Sequence, residues 1–202
     1  MGKFKFIETG IAGLYVIEPT VFGDTRGYFM ETYHAQEYKE AGLDMVFVQD
    51  NQSKSKKGVL RGLHFQHFYP QGKLVRVTKG AVFDVAVDMR KNSTTFGKWY
   101  GVILSEDNKR QFYIAEGFAH GFLVLSEEAE FTYKCTAYYH PEDEGGILWN
   151  DAEVGIKWPL EQIKEIILSD KDRAWQSLKE TMAVEVGHEE DFSNRWSGVY
   201  WK

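Results

Sequence analysis

Only one cysteine, Cys135, occurs among the 202 residues. No internal disulfide can form, which fits a reducing compartment. Long apolar runs are missing: none is long enough to cross a bilayer, and the first residues lack the basic-then-apolar pattern of an export signal. Positive charge is not in excess either. The formal net charge is −6, which argues against a general nucleic-acid or membrane-surface binder. A small anionic ligand stays compatible, because a few local arginines outweigh a weak global field. Repeats and low-complexity tracts are absent. The expectation is a soluble cytoplasmic protein with neither nucleic acid nor membrane among its partners.

What is present is a core. Hydrophobic residues make up 43% and aromatics 15%, enough for one good-sized domain, and the aromatic share leans toward β structure. Short apolar runs recur between turn signals: Lys3 to Glu8, Leu14 to Glu18, Tyr28 to Tyr33, Met45 to Ser53, Val59 to Gln66, Lys73 to Lys79, Ala81 to Met89, Trp99 to Leu104, Gln111 to Ala115, Gly121 to Leu125 and Phe131 to Tyr139. In Ala81 to Met89, Phe83, Val85 and Val87 alternate with Asp84 and Ala86, a period of two. This spacing predicts a mainly β antiparallel sandwich or barrel. His34 to Ala41 reads as a short helix closed by Gly42. Beyond Pro159 the pattern changes, and Leu160 to Ile167 and Arg173 to Val186 read as helical. Residues 1–178 form the expected domain. Residues 179–202 are a polar, aromatic extension expected to pack on the barrel or on a second subunit.

The chemistry centres on Val59-Leu60-Arg61-Gly62-Leu63-His64-Phe65-Gln66, which sets a histidine and an arginine in an apolar strand. In regular strand geometry Leu60, Gly62, His64 and Gln66 share one face, and glycine at 62 leaves room beside the imidazole. Arg61 then points to the other face. For Arg61 and His64 to reach one ligand, the strand needs a bulge near Gly62 or a site that crosses its edge. Lys73, at the start of the next strand, is either a solvated strand-end charge or an inward cation facing a developing enolate. His120 sits between glycines at the start of an apolar strand. Tyr133, Cys135, Ala137 and Tyr139 fall on one face, either as aromatic core or as a cleft floor carrying a phenol at each end. Asp170 reads as a helix cap, or as the carboxylate that orients a histidine. Metal is disfavoured: His64 and His67 point to opposite sides of one strand, and no acid follows at ligand spacing.

Several ordered blocks are similar to the dTDP-4-dehydrorhamnose 3,5-epimerases of the cupin superfamily. They include Phe22-Gly23-Asp24-Thr25-Arg26-Gly27, Phe47-Val48-Gln49-Asp50-Asn51, Val59 to His64, Gln71-Gly72-Lys73-Leu74-Val75-Arg76, Gly117-Phe118-Ala119-His120-Gly121-Phe122 and Leu168-Ser169-Asp170-Lys171-Asp172. The resemblance implies a jelly-roll barrel, a homodimer with an exchanged N-terminal strand, and no metal or organic cofactor. It implies inversion of C3 and C5 of dTDP-4-dehydro-6-deoxy-D-glucose on the way to dTDP-L-rhamnose for surface polysaccharide. In family terms His64 is the base, Tyr133 the acid, Asp170 the partner of His64, and Lys73 a neighbour of the sugar C4 oxygen. Arg26, Glu31, Gln49, Asn51, Arg61, His120, Glu144 and Lys171 match substrate contacts, and Tyr139 matches the residue that stacks on thymine.

Overall fold

A computed structural model describes residues 2–186. Thirteen strands run in chain order: β1 (Phe4–Glu8), β2 (Leu14–Pro19), β3 (Phe22–Asp24), β4 (Gly27–Phe29), β5 (Gln49–Lys56), β6 (Leu60–Gln66), β7 (Lys73–Lys79), β8 (Ala81–Asp88), β9 (Trp99–Ser105), β10 (Gln111–Ile114), β11 (Phe118–Val124), β12 (Glu128–Cys135) and β13 (Glu144–Gly146). The helices are α1 (Ala35–Glu40) and α2 (Asp170–Arg173), with a 3-10 turn at Pro141–Asp143. One sheet has the order β1-β2-β10-β7-β12-β5, the other β13-β6-β11-β8-β9, and β3 and β4 form a separate hairpin. Neighbouring strands pair antiparallel throughout. Two facing antiparallel sheets with crossovers make a jelly-roll barrel of the cupin type, as the family resemblance implies; the strand pattern alone predicts an antiparallel sandwich or barrel.

Three packed layers explain why the strands read as apolar on both faces. Between the sheets lies a core of Val16, Val75, Val77, Ala86, Val102, Phe112, Phe122 and Phe131. Outside the six-stranded sheet, Tyr38 of α1 packs with Phe4, Ile17, Leu74 and Tyr113. Outside the five-stranded sheet, Leu60, Leu63, Phe65, Val85, Val87 and Leu123 are covered by Ile147, Val154, Trp158 and Val184. Strands β8 and β11 are thus sandwiched, and β11 is buried along its whole length. Each large apolar side chain so enclosed contributes roughly 1.5–3 kcal/mol.

Two expectations change. Leu160 to Ile167, and Arg173 to Val186 beyond the last residue of α2, are turns and extended segments, not helices. Their apolar residues face a sheet rather than a helical partner: Ile163, Ile166, Leu168 and Leu178 all pack onto the outer face of the second sheet. The path is pinned by main-chain contacts, Ile167 N–H to Gly58 at 2.8 Å and Val184 N–H to Met89 at 2.7 Å. Residues 179–186 of the expected extension follow the same path, with Val184 packed on the outer face of the second sheet. The rest of it, 187–202, lies outside the described residues.

Candidate active site

Arg61 and His64 are three residues apart, yet both face the barrel interior. His120 pairs with His64, while Phe122, two residues on, pairs with Arg61. Two steps on β11 therefore match three on β6, a bulge in which Gly62 is the extra residue. Leu60 and Leu63 are left on the outer face, in the core under the C-terminal segment. Glycine is needed at this crossing because the two main chains nearly touch. A Cβ at Gly62, where φ is +123°, would lie 2.5 Å from Gly121 Cα and 2.8 Å from His120 O. Of the two arrangements that the sequence leaves open, the structure has the bulge, one residue long, at Gly62.

The carboxylate on His64 is Asp172, not Asp170. His64 Nε2 lies 2.5 Å from Asp172 Oδ1. Asp170 is exposed as the first residue of α2. Two residues along a helix turn a side chain by about 200°, so only one of the two acids can face β6. Ser169 caps α2 and also donates to Asp172 Oδ2 at 2.7 Å. Burial by itself would raise the Asp172 carboxyl, but hydrogen bonds from His64 and Ser169 outweigh it and hold the group below its ordinary value. An ionised carboxylate only accepts, so the Nε2–H donates and neutral His64 keeps its lone pair on Nδ1. That nitrogen is 3.7 Å from Glu144 Oε1.

Glu144 joins several of the expected residues. Its Oε2 accepts from Tyr139 Oη at 2.8 Å and from Lys171 Nζ at 2.7 Å. The side chain comes from β13, which pairs with β6 at His64 through Gly146. Tyr139 lies beyond the end of β12, which stops at Cys135, so the strand expected to run to Tyr139 ends four residues earlier. The loop still returns the ring to the site: the Tyr139 main-chain N–H donates to Gln49 Oε1 at 3.0 Å. Burial, then the bond to Glu144, pushes its phenol up to about 12.

The facing wall is the six-stranded sheet. Tyr133 pairs with Asn51 and with Val75, and Cys135 pairs with Gln49 and with Lys73. Gln49, Asn51, Lys73, Tyr133 and Cys135 thus share its inner face. Gln49 Nε2 donates to Asn51 Oδ1 at 3.0 Å. Burial first, then Cys135, raises the Tyr133 phenol to about 12, against the pull of Arg61. The ring is neutral near pH 7 and holds a proton to give. Arg61 itself is oriented by Nε donation to Ser55 Oγ at 3.1 Å.

Lys73 is buried, and burial lowers its pKa against the opposing charges of Cys135, Asp84 and Glu144. Asp84 is fully buried on β8, with His120 Nε2 3.0 Å from both carboxylate oxygens. Burial raises Asp84, His120 and Lys73 oppose that rise, and burial lowers His120. The sequence reading passed over Asp84 as one polar position in an alternating strand. A carboxylate between Val82 and Ala86 on the face they share was the signal. Among the described residues no three His, Cys, Asp or Glu side chains form a set able to hold a metal ion.

Arg26 and Glu31 are not brought to this cluster. Arg26 pairs with Asp24 at the tip of the β3–β4 hairpin, and Glu31 pairs with Lys3. The hairpin belongs to neither main sheet. Chemically, the interior offers an oriented imidazole on one wall, and on the other a protonated phenol and a desolvated ammonium.

Comparison with known proteins identifies the family. The sequence profile of the dTDP-4-dehydrorhamnose 3,5-epimerase family matches residues 8–180. The enzyme of that name from Methanothermobacter thermautotrophicus is 58% identical over 180 residues, covering 89% of this chain and 97% of that protein. The Salmonella typhimurium enzyme is 58% identical over 181 residues, covering 89% and 98%. The crystal structure of dTDP-6-deoxy-D-glucose-3,5-epimerase from Legionella pneumophila, in complex with dTDP-4-keto-L-rhamnose, superposes with a TM-score of 0.87 at 51% identity, covering 92% of this chain and 100% of that one. A 3′-monoepimerase from Streptomyces bikiniensis, in complex with dTDP-quinovose, gives 0.83 at 29% identity, covering 94% and 96%. The chain belongs to the dTDP-4-dehydrorhamnose 3,5-epimerase family of isomerases.

Proposed function

We propose that the protein inverts C3 and C5 of dTDP-4-dehydro-6-deoxy-D-glucose, giving dTDP-4-dehydro-β-L-rhamnose for dTDP-L-rhamnose synthesis. The observation that carries this reading is the placement of His64, paired to Asp172, on one sheet and of Tyr133 on the facing sheet. The ketone at C4 acidifies the hydrogens on both neighbouring carbons, so one base and one stabilised enolate serve two centres. His64 takes the proton from one face of the sugar. Negative charge develops on the C4 oxygen, where the buried Lys73 ammonium stabilises it. Tyr133 returns a proton to the opposite face, which completes inversion. Solvent then resets the phenol and the imidazole. No cofactor enters these steps.

Arg61 is suited to the diphosphate by its fork of donors. Gln49, Asn51, His120 and Lys171 line the sugar and nucleotide path, and Tyr139 offers its ring to the base. Arg26 and Glu31 reach a site only in an assembly, and the exposed Phe22, Tyr28 and Phe29 of the same region are an apolar surface suited to a second copy. In this reading the protein is a homodimer that acts in the cytoplasm, where dTDP-sugars are made. Among the described residues, no helix is long and apolar enough to cross a membrane.

A second reading is favoured by the likeness to the 3′-monoepimerase: inversion at C3 alone. Coupling turnover of the dTDP-4-keto sugar to an NADPH-dependent L-rhamnose-forming reductase tests the first reading. His64→Asn and Tyr133→Phe should each lower the coupled rate by about 10²–10⁴-fold. Normal coupled turnover in either variant contradicts the assigned roles.

A further inference from the structure

Trp175, two residues beyond α2, lies against the base. Its ring centroid is 5.9 Å from that of His64, with 65° between the planes, an edge-to-face contact. The indole also rests on the main chain of β13. A Cβ at Gly146 would come within 2.4, 2.5 and 2.7 Å of three indole atoms, and Gly146 is the residue paired with His64 across β13 and β6. The next residue is tied down as well: the Leu148 N–H donates to Gln176 O at 2.9 Å. The indole N–H is buried and meets no acceptor at hydrogen-bond geometry among the described residues. It lies near enough to Asp172 to add to the groups that hold that carboxyl down, after His64 and Ser169. A buried donor left short of a full bond is uncommon in a region that serves only packing.

We propose that Trp175 is a positioning residue for proton transfer: wedged between the Gly146 main chain and the imidazole, it holds His64 and Asp172 in a single relative geometry. The ring blocks rotation of the imidazole away from Asp172, and the N–H nearby favours the ionised form of Asp172. The residue need not touch the sugar. This inference rests on His64 being the base.

The test uses full-length Trp175→Leu, Trp175→Phe, Asp172→Asn and His64→Asn, with kcat, KM and the pH profile of kcat measured on the dTDP-4-keto sugar, below the unfolding temperature of each variant. Trp175→Leu should lower kcat on the order of 10²-fold, the effect of misplacing a reacting group by about 1 Å, while KM stays within about threefold. Its acid limb should move in the same direction as that of Asp172→Asn. Trp175→Phe restores the ring without the N–H, so it should recover most of the rate and keep the displaced acid limb. Wild-type kcat and pH profile in Trp175→Leu, alongside an inactive His64→Asn, overturn the inference alone. A raised KM with unchanged kcat overturns it too, since the residue would then bind substrate. An active His64→Asn removes the base assignment and this inference together. If Trp175→Leu does not fold, Trp175→Phe decides, and an unmoved acid limb refutes the proposal.

Discussion

Gly62→Ala probes the feature on which the whole site depends. The added methyl would sit 2.5 Å from Gly121 Cα and 2.8 Å from His120 O, and both obstacles are main chain that cannot rotate away. Relief requires parting β6 from β11 or abandoning φ +123° at position 62. A non-glycine residue held in such backbone costs about 1–3 kcal/mol, and forcing a methyl into a packed crossing costs about 1–3 kcal/mol more. The sum, about 2–6 kcal/mol, is a large part of a typical folding stability of roughly 5–15 kcal/mol. Urea denaturation followed by far-UV circular dichroism should show a lowered midpoint with little change in slope. The loss of kcat/KM should exceed the unfolded fraction, because closing the bulge would send Arg61 to the face now held by Leu60. An unchanged midpoint refutes the steric argument. A lowered midpoint with full activity per folded molecule refutes the claim that the bulge is what aims Arg61 and His64 into one cavity.

Two further outcomes follow from the charges. The Asp172 carboxyl lies below its ordinary value of 3.8 in the folded chain, so it contributes stability that is present above that value and lost as pH falls through the folded one. Acid titration of unfolding free energy should therefore be shallower below about pH 4 in Asp172→Asn than in the parent, and parallel curves would contradict the pairing with His64. Lys73→Met keeps the buried stem and removes the cation, so kcat should fall by about 10²–10³-fold, as on loss of one preorganised donor, with KM less affected. A purely KM effect would mean that Lys73 only binds.

Most strands were legible because alternation in segments such as Ala81 to Met89 directly reports a sheet with two different faces. The separation of Arg61 and His64 was legible too, as a conflict: simple alternation sends them apart, and either a bulge near Gly62 or a site crossing the strand edge reconciles them. Local signals failed elsewhere. Asp170 and Asp172 are indistinguishable by type and spacing, and the short helix that selects Asp172 is defined by the Ser169 cap and by docking onto β6. Leu160 to Ile167 carries apolar residues at spacings that suit a helix, yet the sheet it covers holds it extended. Trp175 gave no local sign at all, because its significance comes from Gly146 and His64, which are distant in sequence. Arg26 and Glu31 carry a resemblance but no contact with the cluster within one chain, since they lie in or next to a hairpin outside both sheets.

The central claim is that one imidazole and one phenol work on opposite faces of a single sugar at two carbons. Incubating the wild-type protein with dTDP-4-dehydro-6-deoxy-D-glucose in D₂O, and locating the label by proton NMR, tests it most directly. Deuterium should appear at both C3 and C5 of the product, with both centres inverted. Deuterium at C3 alone, or inversion without solvent label, would contradict it.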